Sequence, residues 1–446
     1  MPAVNAGARL DRLPISSFHY RIFWLIGAGM FFDGYDLYVG TAVLPALLQS
    51  KFSSLPLNAQ FVSFTFLGMT IGALITGFLG DLFGRRFTYQ FNLMIFGLAS
   101  LAAAFAPDMT TLNILRFVMG LGLGAEIVVG YSTLTEFVPP ASRGRWLAFM
   151  AFLVVSGLPV TTLLGNLIIP SFGWRPMFVI AGGGALIVWY LRKAMPESPR
   201  WLEINGREAE AEATLATIEK EASTAGPLPP PPAPAPAPKF SMASLLHGDL
   251  LRRMVVGSWV LITVNTLIFG FVTWLPQFFV AGGLTVTRSL AYTLVIVIGS
   301  PIGCAIGAYC ADALGRRPTI IGASVLSIIF GSIYPFASEP ALMLPVGFLL
   351  IVSIYVQVAL LFGVYTPELF PTEVRLRANG ICNTLGRAAT VVSPFIVVAL
   401  FQSYKIAGVL SLMIVLLLIQ ILVVWAWGVE PRAKPLEALD APASAR

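Results

Sequence analysis

Gly80-Asp81-Leu82-Phe83-Gly84-Arg85-Arg86 returns later in the chain as Ala311-Asp312-Ala313-Leu314-Gly315-Arg316-Arg317, placing Asp81 and Asp312 231 positions apart. Each copy is a short charged stretch between two apolar ones, so the pair reads as the same loop in two halves of a repeated chain. Two further landmarks keep the register. Glu136-x-x-Pro139-x-x-x-Arg143 is matched 232 positions on by Glu368-x-x-Pro371-x-x-x-Arg375, and Leu44-Pro45 is matched at 231 by Leu275-Pro276. Three landmarks in one register make the two halves of the chain versions of one structure.

The rest of the chain agrees with that reading. Of 446 residues, 57% are hydrophobic and 11% charged, whereas soluble domains carry about 25% charged residues. A mean hydropathy of +0.82 reflects apolar runs of membrane-crossing length, about 20 residues. Such runs cover 21–48, 61–80, 87–105, 112–136, 146–169, 176–193, 254–280, 291–311, 319–336, 341–368, 378–401 and 407–428. The expected fold is an all-α integral membrane protein of twelve transmembrane helices in two pseudo-symmetric six-helix bundles. The expected division is a tail at 1–20, bundles at 21–193 and 254–428, a linker at 194–253 and a tail at 429–446. Within the linker, 206–222 reads as a surface helix and 227–239, PLPPPPAPAPAPK, as an extended proline-rich spacer.

Orientation follows from Lys and Arg in the short loops. With both termini cytoplasmic, the inner loops hold Arg85, Arg86, Arg143, Arg145, Arg316, Arg317, Arg375 and Arg377, and the outer loops only Lys51, Arg175, Arg288 and Lys405. The net charge of +6 is then a topology signal and no sign of nucleic-acid binding. Cys304, Cys310 and Cys382 lie in apolar runs and His19 and His247 in polar flanks, so neither a metal site nor a catalytic triad can be read. GLGLGA at 120–125 lies inside an apolar run with no strand before it, which fits close helix packing better than a dinucleotide loop. No phosphate-binding Gly-x-x-x-x-Gly-Lys run occurs. Neither an enzyme nor a cofactor is indicated.

These loop motifs, with the run from Arg116 to Glu126, TEFVPPASRGR at 135–145, PESPRWL at 196–202 and YTPELFPTEVR at 365–375, resemble the major facilitator superfamily. Within it they are similar to the sugar porters and the synaptic-vesicle and organic-ion branch. Asp33-Gly34-Tyr35-Asp36 resembles the proton symporters of aromatic acids and related metabolites. SGLPVTTLLG at 156–165 departs from the Gly-Pro-Gly-Gly pattern of drug antiporters. The glutamine motifs usual in sugar porters are missing too. The resemblance implies alternating access, with the paired loop motifs forming a cytoplasmic gate. Its members would be Asp81, Arg85, Arg86, Glu136 and Arg143 in one half and Asp312, Arg316, Arg317, Glu368 and Arg375 in the other. Physically, Asp81 and Asp312 precede helix starts, where a carboxylate meets the positive end, and the arginines can pair with Glu136 or Glu368.

Charges inside spans cost about 2.5–3.5 kcal/mol each and are functional hypotheses by default. Asp33, Asp36, Arg116, Glu126 and Arg387 are the deep ones. Asp36 is 15 residues beyond Arg21, or roughly 22 Å at the helical rise, and Arg116 counts to a similar depth from the other face. An Asp–Arg pair at one depth can act as a proton switch, which protonation or substrate binding opens. The resemblance implies the same role for these two positions. Asp33 shares a helix face with Asp36, and two carboxylates that close resist carrying both charges at once. Glu126 is a further candidate for proton coupling. For substrate, Arg387 could hold a carboxylate in a two-pronged contact, with Tyr35, Tyr38, Asn265, Trp274, Gln277 and Asn383 lining a small pocket. The expected function is proton-coupled uptake of a small organic acid or related metabolite. A sugar or polyol symporter and an uncoupled facilitator are the alternatives. The expected partners are substrate, proton and lipid bilayer, the expected state a monomer, and the expected location a bacterial inner membrane, consistent with the lack of Asn-x-Ser/Thr sites.

Overall fold

The computed structural model describes residues 4–224, 226, 228, 230, 248–337, 339–370 and 375–430, without the side chains of residues 77, 78, 81, 141, 312, 363, 367, 375 and 376. The proline-rich run, the gate candidates Asp81, Asp312 and Arg375 as side chains, His247 and most of the C-terminal tail lie outside the described residues.

Every regular element among the described residues is a helix. Among the described residues, nine segments are long and apolar enough to cross a bilayer. One of them, Arg377–Trp427, has 51 residues, about twice what a crossing needs. It breaks at Lys405, whose φ of 56° and ψ of −152° interrupt helix α18 (Arg375–Trp427). Two stretches outside the nine complete twelve crossings. Ser17–Leu37 (α2) and Val39–Gln49 (α3) form the first, diluted in hydropathy by Asp33 and Asp36, and Arg85–Ala103 (α5) forms the third, starting on two arginines.

Two compact units emerge. The first contains Met1–Leu37, Phe64–Gly157 and Arg175–Ala237. It holds α2, α5, Met109–Phe137 (α6) and Arg175–Leu191 (α8), with parts of Leu55–Phe83 (α4) and Pro140–Phe172 (α7). Glycines let its helices touch backbone to backbone. A Cβ on Gly120 would lie 2.3 Å from the Thr65 carbonyl and one on Gly124 2.0 Å from that of Met69, both on α4, while one on Gly122 would meet the Asn92 carbonyl of α5 at 2.8 Å. The GLGLGA run is thus a two-sided packing strip.

The same unit carries an ionic clasp at its polar end. Ala6–Asp11 (α1) lies against Pro199–Ile204 (α9) and Glu208–Ala222 (α10). Glu203 accepts from the backbone N–H groups of Asn5 and Ala6, satisfying the start of α1. Arg9 reaches Glu212 and Glu219 at 2.5 and 2.7 Å, Arg12 reaches Glu219 at 2.6 Å, and Arg21 reaches Glu221 at 2.8 Å. Asp11 accepts from Arg200 at 2.7 Å and Arg143 at 3.4 Å. His19, expected in a polar flank, is fully buried at the start of α2, where its Nδ1 accepts from Ser16 N.

The second unit contains Tyr38–Ser63, Leu158–Trp174 and Pro238–Arg446. Its helices include α3, Gly248–Gly270 (α11), Leu275–Ala281 (α12), Val286–Val297 (α13), Gly299–Ala313 (α14), Arg316–Ile333 (α15), Pro340–Leu360 (α16), Thr366–Glu368 (α17) and α18. Here too glycines admit close contacts: Cβ atoms on Gly303 and Gly307 would lie 2.5 Å from the Val352 and Val356 carbonyls of α16. Between α16 and α17, residues Leu361–Tyr365 make a π turn. A π turn takes up one more residue than the α-helix it interrupts. That residue accounts for the repeat spacing passing from 231 at Asp312 to 232 at Glu368.

Candidate functional site

In the first unit, α2 brings Asp36 and α6 brings Arg116 to one place. Arg116 Nη1 donates to Asp36 Oδ2 at 2.5 Å, Nη2 to the Asp36 carbonyl at 3.3 Å, and Nε to Thr65 Oγ1 of α4 at 3.0 Å. The two side chains are 1% and 0% exposed. Asp36 Oδ1 is buried and accepts no hydrogen bond. The depth arithmetic from sequence therefore meets its outcome in space. A buried, charge-assisted pair of this kind is held by its partners and is destabilised if either charge is neutralised alone.

A second arginine, which sequence reading missed, serves Glu126. Arg192, in the turn Arg192–Ala194 after α8, bonds Glu126 Oε1 through Nη1, the Leu25 carbonyl through Nε at 2.8 Å and the Ile26 carbonyl through Nη2 at 2.8 Å. Both side chains are 1% exposed. Beside Lys193 at the end of an apolar run, Arg192 reads as an interface anchor, and only the tertiary contact shows otherwise. Asp33 is also buried, and neither of its oxygens has a hydrogen-bond partner.

The loop motif is built alike in both units. Gly84 and Gly315 take φ of 92° and 103° just before α5 and α15, a conformation that favours glycine. In the first unit, Arg85 bonds Glu136 at 3.2 Å and the Gly80 carbonyl at 2.6 Å. In the second, Arg316 bonds Glu368 at 3.0 Å and the Ala311 carbonyl at 3.1 Å. The carboxylates seated on the helix starts are Glu197, accepting from Arg85 N and Arg86 N, and Glu430, accepting from Arg316 N and Arg317 N. Neither glutamate was singled out from sequence. Each follows the last apolar run of its half, where a lone acid looks like solvated surface.

Three arginines of this motif have partners other than the paired glutamates. Arg86 and Arg317 pair with no Glu136 or Glu368 side chain. They bond instead the main-chain carbonyls of Lys193 and of Val424 and Trp425, where guanidinium favours the carbonyl ends of helices. Arg143 meets Asp11 and the Val138 carbonyl, so it belongs to the clasp. Ser198 supplies an additional donor to Glu136.

The substrate candidates divide between the units. In the first, Tyr35 donates its hydroxyl to the Met177 carbonyl of α8 at 3.3 Å, a helix-packing contact. In the second, Tyr38 stacks on Phe269 with ring centres 6.2 Å apart and meets the Tyr355 hydroxyl at 3.5 Å. Tyr38 and Phe269 are themselves repeat mates, 231 positions apart. Asn58 donates to Gln277 Oε1 at 2.7 Å, while Gln277 Nε2 and the Trp274 indole N–H are buried without an acceptor. Asn265 and Asn383 donate to the Leu261 and Asn379 carbonyls one turn back. Arg387 is partly buried on α18.

A twelve-crossing helical protein with a repeated charged loop and a buried acid–arginine pair is a membrane transporter of the secondary type. The chain belongs to the Major Facilitator Superfamily, whose profile matches residues 26–367. The chain is 39% identical to the inner membrane metabolite transport protein YdjE of Escherichia coli K12, over 97% of this chain and 98% of the relative. It is 30% identical to the niacin transporter NiaP of Acinetobacter baylyi, over 97% and 99%. Among solved structures, the xylose transporter XylE from E. coli in a partially occluded inward-open conformation superposes with a TM-score of 0.72 over 94% of this chain and all of that one, at 20% identity. That likeness carries the fold.

Proposed function

We propose that this transporter takes up a small organic acid or related metabolite together with a proton by alternating access. The observation that carries the reading is the buried Asp36–Arg116 pair, with one oxygen of Asp36 bonded to the guanidinium and the other unbonded. Asp36 receives the proton on that second oxygen, Arg116 loses its partner's charge, and the pair opens; substrate binding decides which state then follows. The metabolite and niacin names of its relatives favour an acid over a sugar. Arg387 supplies the fixed cation for such an acid, and Trp274 and Gln277 offer two buried unbonded donors three residues apart. With both termini cytoplasmic, the two loop motifs close the inner side. Bundles at 21–193 and 254–428 are the moving parts, and an inner membrane is the setting.

The test is uptake of nicotinate, with xylose as the neutral comparison, by the purified protein in liposomes. An inward proton gradient is expected to drive nicotinate accumulation. Asp36→Asn is expected to abolish accumulation while leaving counterflow exchange. Nicotinate flux indifferent to the gradient would make the protein a facilitator, and accumulation of xylose alone would make it a sugar symporter.

A further inference from the structure

Among its described residues, the first unit buries three acids, Asp33, Asp36 and Glu126, with two arginines, Arg116 and Arg192. Arg116 serves Asp36, and Arg192 serves Glu126. Asp33 is left with both oxygens buried and unbonded. Its position relative to the second pair follows from Gly29. A Cβ there would lie 2.1 Å from Arg192 Nη2 and 3.1 Å from Glu126 Oε1, so the guanidinium crosses α2 at that residue. Asp33 is four residues further on, just over one turn or about 6 Å along the same face.

Among the described residues the surroundings add no other compensating charge. From α5 the ring of Tyr89 lies 5.5 Å from Arg192 Cζ. From α7 the backbone at Val154 and Gly157 packs on Gly34 and is not titratable. Asp36 on the same helix is engaged by Arg116, and the charges acting on Asp33 are Glu126, Arg192 and Asp36. One guanidinium thus faces two carboxyl groups at a buried place, where an uncompensated charge is strongly disfavoured.

We infer that Asp33, Glu126 and Arg192 form a second proton-binding site, in which one proton is shared by the two carboxyls and Arg192 is the positioning residue. With Arg192 bonded to Glu126, the negative charge rests on Glu126 and the proton on Asp33. If Arg192 turns towards Asp33, the proton passes to Glu126, with the sum of charges unchanged. This rests on the symport reading only in taking the site to load and empty during transport. Its occupancy at rest is independent of any substrate.

The experiment is infrared spectroscopy of the full-length protein in lipid at neutral pH, reading the carbonyl stretch of buried protonated carboxyls. The wild type is expected to show this band, Asp33→Asn to lose it, and Asp36→Asn to keep it. Arg192→Gln removes the one cation, so both carboxyls take protons and the band rises about twofold; Arg192→Lys restores the wild-type intensity. An unchanged band in Asp33→Asn, or no rise in Arg192→Gln, overturns the site. Asp33→Asn has the shape of the protonated acid and needs no refolding, which keeps the first comparison informative even if Arg192→Gln does not fold. Nicotinate flux that ignores a proton gradient in the wild type, with the band behaving as stated, overturns symport and leaves the site standing.

Discussion

Removing Arg116 would leave Asp36 buried with its charge uncompensated. Arg116→Ala is expected to destabilise the protein by roughly 3–5 kcal/mol, whereas Asp36→Asn combined with Arg116→Met, which removes both charges, should cost much less. Thermal unfolding in detergent compares the two, and equal losses would show that the pair is not what holds α2 to α6. Gly29→Ala is expected to be disruptive for a different reason, since its methyl would displace the Arg192 guanidinium from Glu126. Asp36 and Arg116 were legible in the sequence because a charge within an apolar run is rare and its depth can be counted. Arg192, Glu197 and Glu430 were not. They sit where an apolar run ends, and at such ends charged residues have an ordinary reason to be present. Their roles depend on partners 66, 112 and 114 positions away, which no local pattern encodes.

Among the elements, the helix starts at Arg85 and Arg316 are the most exacting. Gly84→Ala places a Cβ 2.3 Å from Glu197 Oε2 at a positive φ, and a strain of about 1–3 kcal/mol follows. Gly315→Ala meets Glu430 only at 3.1 Å, so the melting point should fall further for Gly84→Ala. Sequence disclosed both loops because they repeat, and it disclosed twelve crossings because apolar length is a direct requirement of the bilayer. It did not disclose the interruption of the first crossing at Tyr38, between α2 and α3, since nothing in Leu37-Tyr38-Val39 forbids a continuous helix. The π turn at Leu361–Tyr365 makes another prediction. Deleting Leu361 should convert it to regular α-helix and keep Glu368 against Arg316, whereas deleting Leu350 within α16 would turn everything after it by about 100°. Cysteines substituted for Arg316 and Glu368 should still cross-link with the first deletion and not with the second.

For the molecule as a whole, the clasp ties α1 to α9 and α10 through charges outside the membrane. Hydrogen bonds from Arg9 and Arg12 hold the Glu219 carboxyl below the ordinary carboxylate range. A lowered native value means that this contribution is present in full above the unfolded value and is lost as the pH falls through the native one. The protection factors of the amides at residues 6–11, each taken against the unfolded exchange rate at the same pH, should therefore fall in acid and in high salt, which screens exposed charges; Arg9→Ala should reproduce the effect at neutral pH. Protection indifferent to both would mean that apolar packing of Leu10 and Leu13 holds α1 in place. The π turn bears on the molecule at this scale as well. The repeat spacing of 231 at Asp312 and of 232 at Glu368 differs by the one residue that such a turn takes up. One residue more in the second half, taken up as a local widening of the helix at Leu361–Tyr365, leaves Arg316 and Glu368 facing each other as Arg85 and Glu136 do.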